Sequence, residues 1–145
     1  MKWITHNPEE TVRLGKKIGK KLKPNDVVTL HGTLGAGKTT FVKGIAEALD
    51  IKEPVTSPTF TILSQYDGKL MLTHMDLYRL GCEDEFELLG GEDFFYAGGI
   101  TLIEWSEKAE SFLPPHTVSV FLTIDPETQN RIITTEDPRF ESVSL

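Results

Sequence analysis

Eight consecutive residues, Gly32-Thr33-Leu34-Gly35-Ala36-Gly37-Lys38-Thr39, carry the pattern G-x-x-x-x-G-K-[ST], whose chemistry is the binding of phosphate. The glycines allow positive φ and let backbone N–H groups approach phosphate oxygens. Lys38 supplies a point charge for the β- and γ-phosphates of a nucleoside triphosphate, and the Thr39 hydroxyl is a Mg²⁺ ligand. The residues offered to the nucleotide are thus Gly35, Ala36, Gly37, Lys38, Thr39 and Thr40. Such a loop has meaning only between a strand and a helix, and both flanks meet that condition. Val27–Leu30 is a short apolar, β-branched run that reads as a buried strand. Phe41, Ile45 and Leu49 fall at i, i+4, i+8 on one helical face. That helix would point its N-terminal N–H groups and positive dipole end at the same anion.

Carboxylates for the metal and the attacking water come from two later segments. Ile100-Thr101-Leu102-Ile103-Glu104 is an apolar strand ending in an acid, the pattern of the second nucleotide motif, with Glu104 where Asp is usual. Glu104 is the candidate metal ligand together with Thr39. Asp76 closes His74-Met75-Asp76-Leu77-Tyr78-Arg79, and at a strand's C-terminal end it suits Mg²⁺ or a water molecule. His74, two residues before it, projects from the same face of the strand. A lone histidine of this kind is more often a satisfied structural residue than a ligand. Between loop and acids lies Thr56-Ser57-Pro58-Thr59-Phe60. Its hydroxyls suit a segment that orders around the γ-phosphate, with Ser57 and Thr59 as the switch-like residues, and equally a capped turn. Trp105 follows Glu104 and brings an indole near the nucleotide, packing rather than reacting.

The elements that must hold these residues can be read in order. Trp3–Thr5 suits a first strand. Asn7-Pro8-Glu9-Glu10 is a helix start, and Leu14, Ile18 and Leu22 form its buried stripe. Gly15 and Gly19 weaken that helix and suit close packing against the sheet. Residues 61–66, Asp67-Gly68 and residues 69–74 read as a β-hairpin with a two-residue turn. Short helices are expected at 83–89 and 92–96, a helix capped by Ser106 through Phe112, and strands at 118–124 and 131–135. Beyond Glu136 the periodicity is lost, and a frayed tail is expected.

The 145 residues suit one domain with a real core, and 39% hydrophobic and 26% charged residues are ordinary for a globular protein. A net charge of −7 argues against a chain that grips nucleic acid unaided. Lys16, Lys17, Lys20, Lys21 and Lys23 form either a solvated helical face or a docking stripe for an acidic partner or RNA. No run approaches the roughly 20 apolar residues of a membrane span, and the single Cys82 cannot form an internal disulfide. A cytoplasmic location is the expectation.

The loop, Ser57-Pro58-Thr59-Phe60, His74-Met75-Asp76-Leu77-Tyr78-Arg79 and Leu102-Ile103-Glu104-Trp105, in that order, closely resemble the bacterial TsaE (YjeE) family over residues 3–135. The resemblance implies an α/β fold, a P-loop NTPase-like three-layer sandwich whose sheet is mostly parallel with some antiparallel strands. It implies a slow, Mg²⁺-dependent ATPase of tRNA threonylcarbamoyladenosine biosynthesis, acting with a TsaD-like carbamoyltransferase and a TsaB-like subunit and meeting tRNA through them. By matching position, Asp76 and Glu104 are the essential acids, and Thr5, Thr11 and Arg131 reach the nucleotide. Thr33 departs from the family, which usually has an acid there.

Two other activities compete. A small-molecule or nucleotide kinase closes an arginine-rich lid over the transferring phosphoryl group. This chain has only Arg13, Arg79, Arg131 and Arg139, and residues 77–99 are acidic. A GTP switch needs an Asn-Lys-x-Asp base-reading motif, which is absent. A binding module without catalysis is the third alternative.

Overall fold

The structure, a computed structural model, describes residues 1–33, 35–58 and 61–145. Among them, seven strands form one sheet in the order β1-β7-β6-β2-β5-β4-β3. These are β1 (Lys2–Thr5), β2 (Val27–His31), β3 (Leu63–Tyr66), β4 (Leu72–Asp76), β5 (Ile100–Glu104), β6 (Val118–Ile124) and β7 (Arg131–Thr135). The central strands β6, β2, β5 and β4 are parallel. They are linked through crossovers, as parallel strands require. The outer pairs β1–β7, β6–β7 and β3–β4 are antiparallel. Parallel pairing is therefore confined to the centre of a mixed sheet.

Alternation along the strands divides the core. Val28, Leu30, Leu72, Leu102 and Val120 face one way, onto α1 (Pro8–Gly19) and α2 (Lys38–Ala48). Val27, Met75 and Ile103 face the other way, onto α3 (Glu83–Leu88) and the 3₁₀ segments Gly91–Tyr96 and Ser106–Phe112. The third layer covers only half of its face: Ile4 on β1 and Phe121 on β6 stay about half exposed.

Helix α1 starts where expected, with the Asn7 Oδ1 accepting from the Glu10 N–H at 2.9 Å. Its glycines do not meet the sheet. A Cβ on Gly15 would lie 2.4 Å from the Phe41 carbonyl oxygen, and one on Gly44 2.1 Å from the Val12 carbonyl oxygen. The two helices thus touch backbone to backbone, which sets α2, and the loop before it, close against α1.

Three other expectations are corrected. The β3–β4 hairpin pairs Tyr66 with Leu72, so its loop spans residues 67–71 rather than two residues. That loop is anchored instead to the end of α2, where the Lys69 N–H donates to the Leu49 carbonyl at 2.7 Å. Ser106 does not cap an α-helix: Trp105 precedes a 3₁₀ segment that breaks at Ala109. The tail is packed, with Phe140 and Val143 buried. The Trp3 indole N–H donates to the Val143 carbonyl at 2.9 Å, and Arg139 Nη1 to Asp26 Oδ2 at 2.7 Å. Isolated anchors of this kind leave no periodic trace. Among the described residues, no helix is long and apolar enough to cross a membrane.

Gly44→Ala is expected to cost about 1–3 kcal/mol in urea unfolding, because the added methyl meets backbone that cannot step aside. The exposed neighbour Lys43→Ala should stay within about 0.5 kcal/mol of the parent.

Candidate nucleotide-binding site

The parallel register builds the site. Leu30 of β2 pairs with Glu104 of β5, and Glu104 with Asp76 of β4. Residues so paired share a face, on strands about 4.8 Å apart. Both carboxylates therefore stand side by side at the strands' C-terminal ends, on the face that carries α1 and α2. From β2 the chain passes through His31 into the glycine loop, which delivers α2 beside the acids. Gly37, at φ 101°, caps α2 without a side-chain hydrogen bond, so the first-turn N–H groups are left for an anion.

Around this junction lies a cavity of about 1020 Å³. The loop and the start of α2 supply Gly35, Gly37, Lys38, Thr39 and Thr40, and the strand ends supply Asp76, Glu104 and Trp105. Its far wall is the β1–α1 junction, where the Thr5 and Thr11 hydroxyls lie 2.7 Å apart. Arg131 of β7 lies at the same cavity and donates from Nη2 to the Gly35 carbonyl at 3.2 Å. Ser57 also lies on the cavity. Ala36 is different: its side chain is buried, and its N–H donates to the Thr33 carbonyl at 3.1 Å. Thr59 lies outside the described residues.

Glu104 is 5% exposed and Asp76 7%, two acids withdrawn from water and in register. Burial alone would raise the Glu104 carboxyl. The hydrogen bond and charge of His74, and then the charge and hydrogen bond of Lys38, outweigh it and hold the group below its ordinary value. His74 Nε2 lies 2.8 Å from Glu104 Oε2, and Lys38 Nζ 3.4 Å from Oε1. Lys38 also donates to the Gly32 carbonyl at 2.9 Å. Asp76 Oδ1 accepts from the Tyr78 N–H at 3.1 Å.

The mouth of the cavity is aromatic. Trp105 holds a left-handed backbone at φ 58°, which bends the chain sharply after Glu104. Its ring, 43% exposed, lies 4.9 Å from that of Tyr78. Tyr78 was not singled out from the sequence, although its place two residues after Asp76 was a usable signal. Gln129 and His6, also at the wall, carried none.

A magnesium ion fits this donor set. Among the described residues there is no group of three or more His, Cys, Asp or Glu able to hold a metal alone. The cavity lining does include oxygen donors suited to Mg²⁺: the Thr39 hydroxyl and the carboxylates of Glu104 and Asp76. Mg²⁺ binds in this manner, through one or two carboxylates and the phosphates of its substrate.

The family model for "Threonylcarbamoyl adenosine biosynthesis protein TsaE" matches residues 5–133. The chain belongs to the TsaE family. It is 50% identical over 123 residues to the tRNA threonylcarbamoyladenosine biosynthesis protein TsaE of Bacillus subtilis (strain 168), covering 84% of this chain and 77% of that protein. The protein of the same name from Treponema pallidum (strain Nichols) is 44% identical over 124 residues, covering 86% and 92%. A solved structure described as "Crystal structure of Bacillus subtilus YdiB" superposes with a TM-score of 0.80 at 42% identity, over 93% of this chain and 83% of that one. Within this TsaE-family fold Thr33 lies on the cavity wall, so the acids lining it among the described residues are Asp76 and Glu104.

Trp105 gives a direct probe of the cavity, because the other tryptophan, Trp3, is buried beneath the tail. Adding ADP is expected to change the intrinsic fluorescence. The change should vanish in Trp105→Phe, persist in Trp3→Phe, and need at least about tenfold more ADP in Lys38→Ala, a loss of about 1.4 kcal/mol.

Proposed function

We propose that this TsaE-family chain binds ATP with Mg²⁺ at this cavity and hydrolyses it slowly. It does so as the ATPase subunit for threonylcarbamoyl modification of adenosine-37 in tRNAs reading ANN codons. It acts in the cytoplasm with a TsaD-type carbamoyltransferase and a TsaB-type subunit, which stimulate turnover, and meets tRNA through that complex. The observation that carries this reading is the gathering of Lys38, Thr39, Asp76 and Glu104 on one cavity of nucleotide size.

The chemistry follows from those residues. The N–H groups at the start of α2 and Lys38 hold the β- and γ-phosphates. To do so Lys38 exchanges the Gly32 carbonyl and the Glu104 carboxylate for phosphate oxygens. Thr39 and Glu104 would hold Mg²⁺, which would withdraw charge from the terminal phosphate. The Asp76–Glu104 pair orients the attacking water. Its oxygen bonds to phosphorus as the bond to the β,γ-bridging oxygen breaks, giving ADP and phosphate. Trp105 and Tyr78 shield the opening. Ser57 lies on the cavity, which supports a gating role in which Ser57 senses the γ-phosphate and ATP and ADP present different surfaces to a partner.

ADP production from Mg²⁺-ATP, measured with and without the purified carbamoyltransferase pair and tRNA, tests the role. Slow turnover that rises with the pair is expected; turnover that the pair leaves unchanged overturns it and points to a phosphoryl acceptor. Asp76→Ala and Glu104→Ala should each slow hydrolysis at least about tenfold, about 1.4 kcal/mol of barrier.

Amide hydrogen exchange at Thr56 and Ser57 is expected to be slower with a non-hydrolysable ATP analogue than with ADP. Equal exchange in the two states removes the gating role of that segment.

A further inference from the structure

His74 lies on β4 between Leu72 and Asp76, on the face packed against α1 and α2, and pairs in register with Leu102. Its side chain is fully buried. Packing alone does not account for an imidazole at this position. Leu72 and Leu102 beside it are apolar and fully buried, and an aliphatic residue fills such a place with no polar atom to satisfy. Among the described residues, His74 Nδ1 is the one buried side-chain polar atom with no hydrogen-bond partner, and an unmet buried group is a cost to the fold. Something must offset that cost. The other ring nitrogen makes the only side-chain bond that the imidazole has, to Glu104 at 2.8 Å.

The direction of this bond follows from the acceptor. An ionised carboxylate has no proton to give, so Nε2 donates. With Oε2 held from behind, the plane of the Glu104 carboxylate is fixed. Oε1 is the oxygen left toward Lys38 and the cavity. Many metal sites place a carboxylate behind a ligating histidine; here the order is reversed, with the acid in front and the imidazole behind.

We propose that His74 is a positioning residue that sets the rotamer of Glu104 and presents a single oxygen, Oε1, to the nucleotide site. Without the Nε2 donor, the carboxylate is free to turn away from the geometry that faces Oε1 to the cavity. The inference rests on the reading of Glu104 as an acid of ATP turnover.

Four variants and one spectrum test it. His74→Gln keeps an amide N–H near the place of Nε2, whereas His74→Leu keeps bulk and removes the donor. His74→Leu is expected to lower kcat at least about tenfold with KM for ATP within about threefold, and His74→Gln to keep kcat within about threefold of the parent. Adding His74→Leu to Glu104→Gln should bring no further loss, because the histidine acts through the acid. A long-range ¹H–¹⁵N spectrum of the unmutated, nucleotide-free protein should show a protonated Nε2 for His74, and needs no variant to fold. A protonated Nδ1 beside a bare Nε2 overturns the proposal. So do a His74→Leu enzyme at the parental rate, a His74→Gln enzyme as slow as His74→Leu, and additive losses in the double variant. Glu104→Gln at the parental rate removes the acid from turnover and this inference with it. A slow Glu104→Gln beside a fast His74→Leu removes the inference alone.

Discussion

Two carboxylates withdrawn from water and set in register on adjacent strands are the most demanding feature of this molecule. A buried ionised acid is stable only where hydrogen bonds and opposite charge replace its lost hydration. Glu104 meets that demand from two directions, His74 behind and Lys38 in front. The rest of the fold is arranged to make those two approaches possible. His74 reaches back because it lies two residues before the register partner of Glu104 on a parallel neighbour. Lys38 reaches forward because the loop returns the chain to the same strand ends, on the same face.

The return of the loop depends in turn on how closely α2 sits to α1. The glycine contact between Gly15 and Gly44 brings the two backbones together where any side chain would hold them apart. It fixes the axis of α2, and with it the aim of its uncapped N-terminus. The wall at Thr5 and Thr11 is carried by β1 and α1 themselves, so the same contact fixes the distance between the phosphate end of the cavity and its far side. Arg131 joins the two by bonding to the Gly35 carbonyl. Packing of helices and geometry of the site are here one set of constraints.

Much of this was legible in the residues. The strand and helix on either side of the glycines were read in place, because a short apolar, β-branched run gives way there to apolar residues at helical spacing. Glu104 and Asp76 were marked as partners of the loop, since an apolar strand ending in an acid has few other uses beside a phosphate site. The unread parts have physical reasons. Asp67-Gly68 carried a tight-turn signal, but a tertiary bond from Lys69 to the end of α2 opened the loop. Gly15 declared a close approach without declaring to what, because a missing side chain has no direction. Phe140 and Val143 anchor the tail singly, outside any repeat. His74 looked like an ordinary core histidine; only the distance to Glu104 separates the two readings, and distance between residues 30 apart is not written in the chain.

The edge of the sheet has a consequence for how the molecule comes into being. Strand β1 pairs with β7, so Lys2 meets Thr134 and Thr5 meets Arg131, and Trp3 closes onto Val143. During synthesis the first strand therefore has no partner until β7 has emerged. Such long-range pairing is slow to close. The glycine loop and its acids can gather around β2, β5 and β4 before that, but the wall made by Thr5 and Arg131 is the last to be set. A chain stopped short of β7 would carry the complete phosphate motif and only part of the cavity. A whole cavity is thus tied to the emergence of β7.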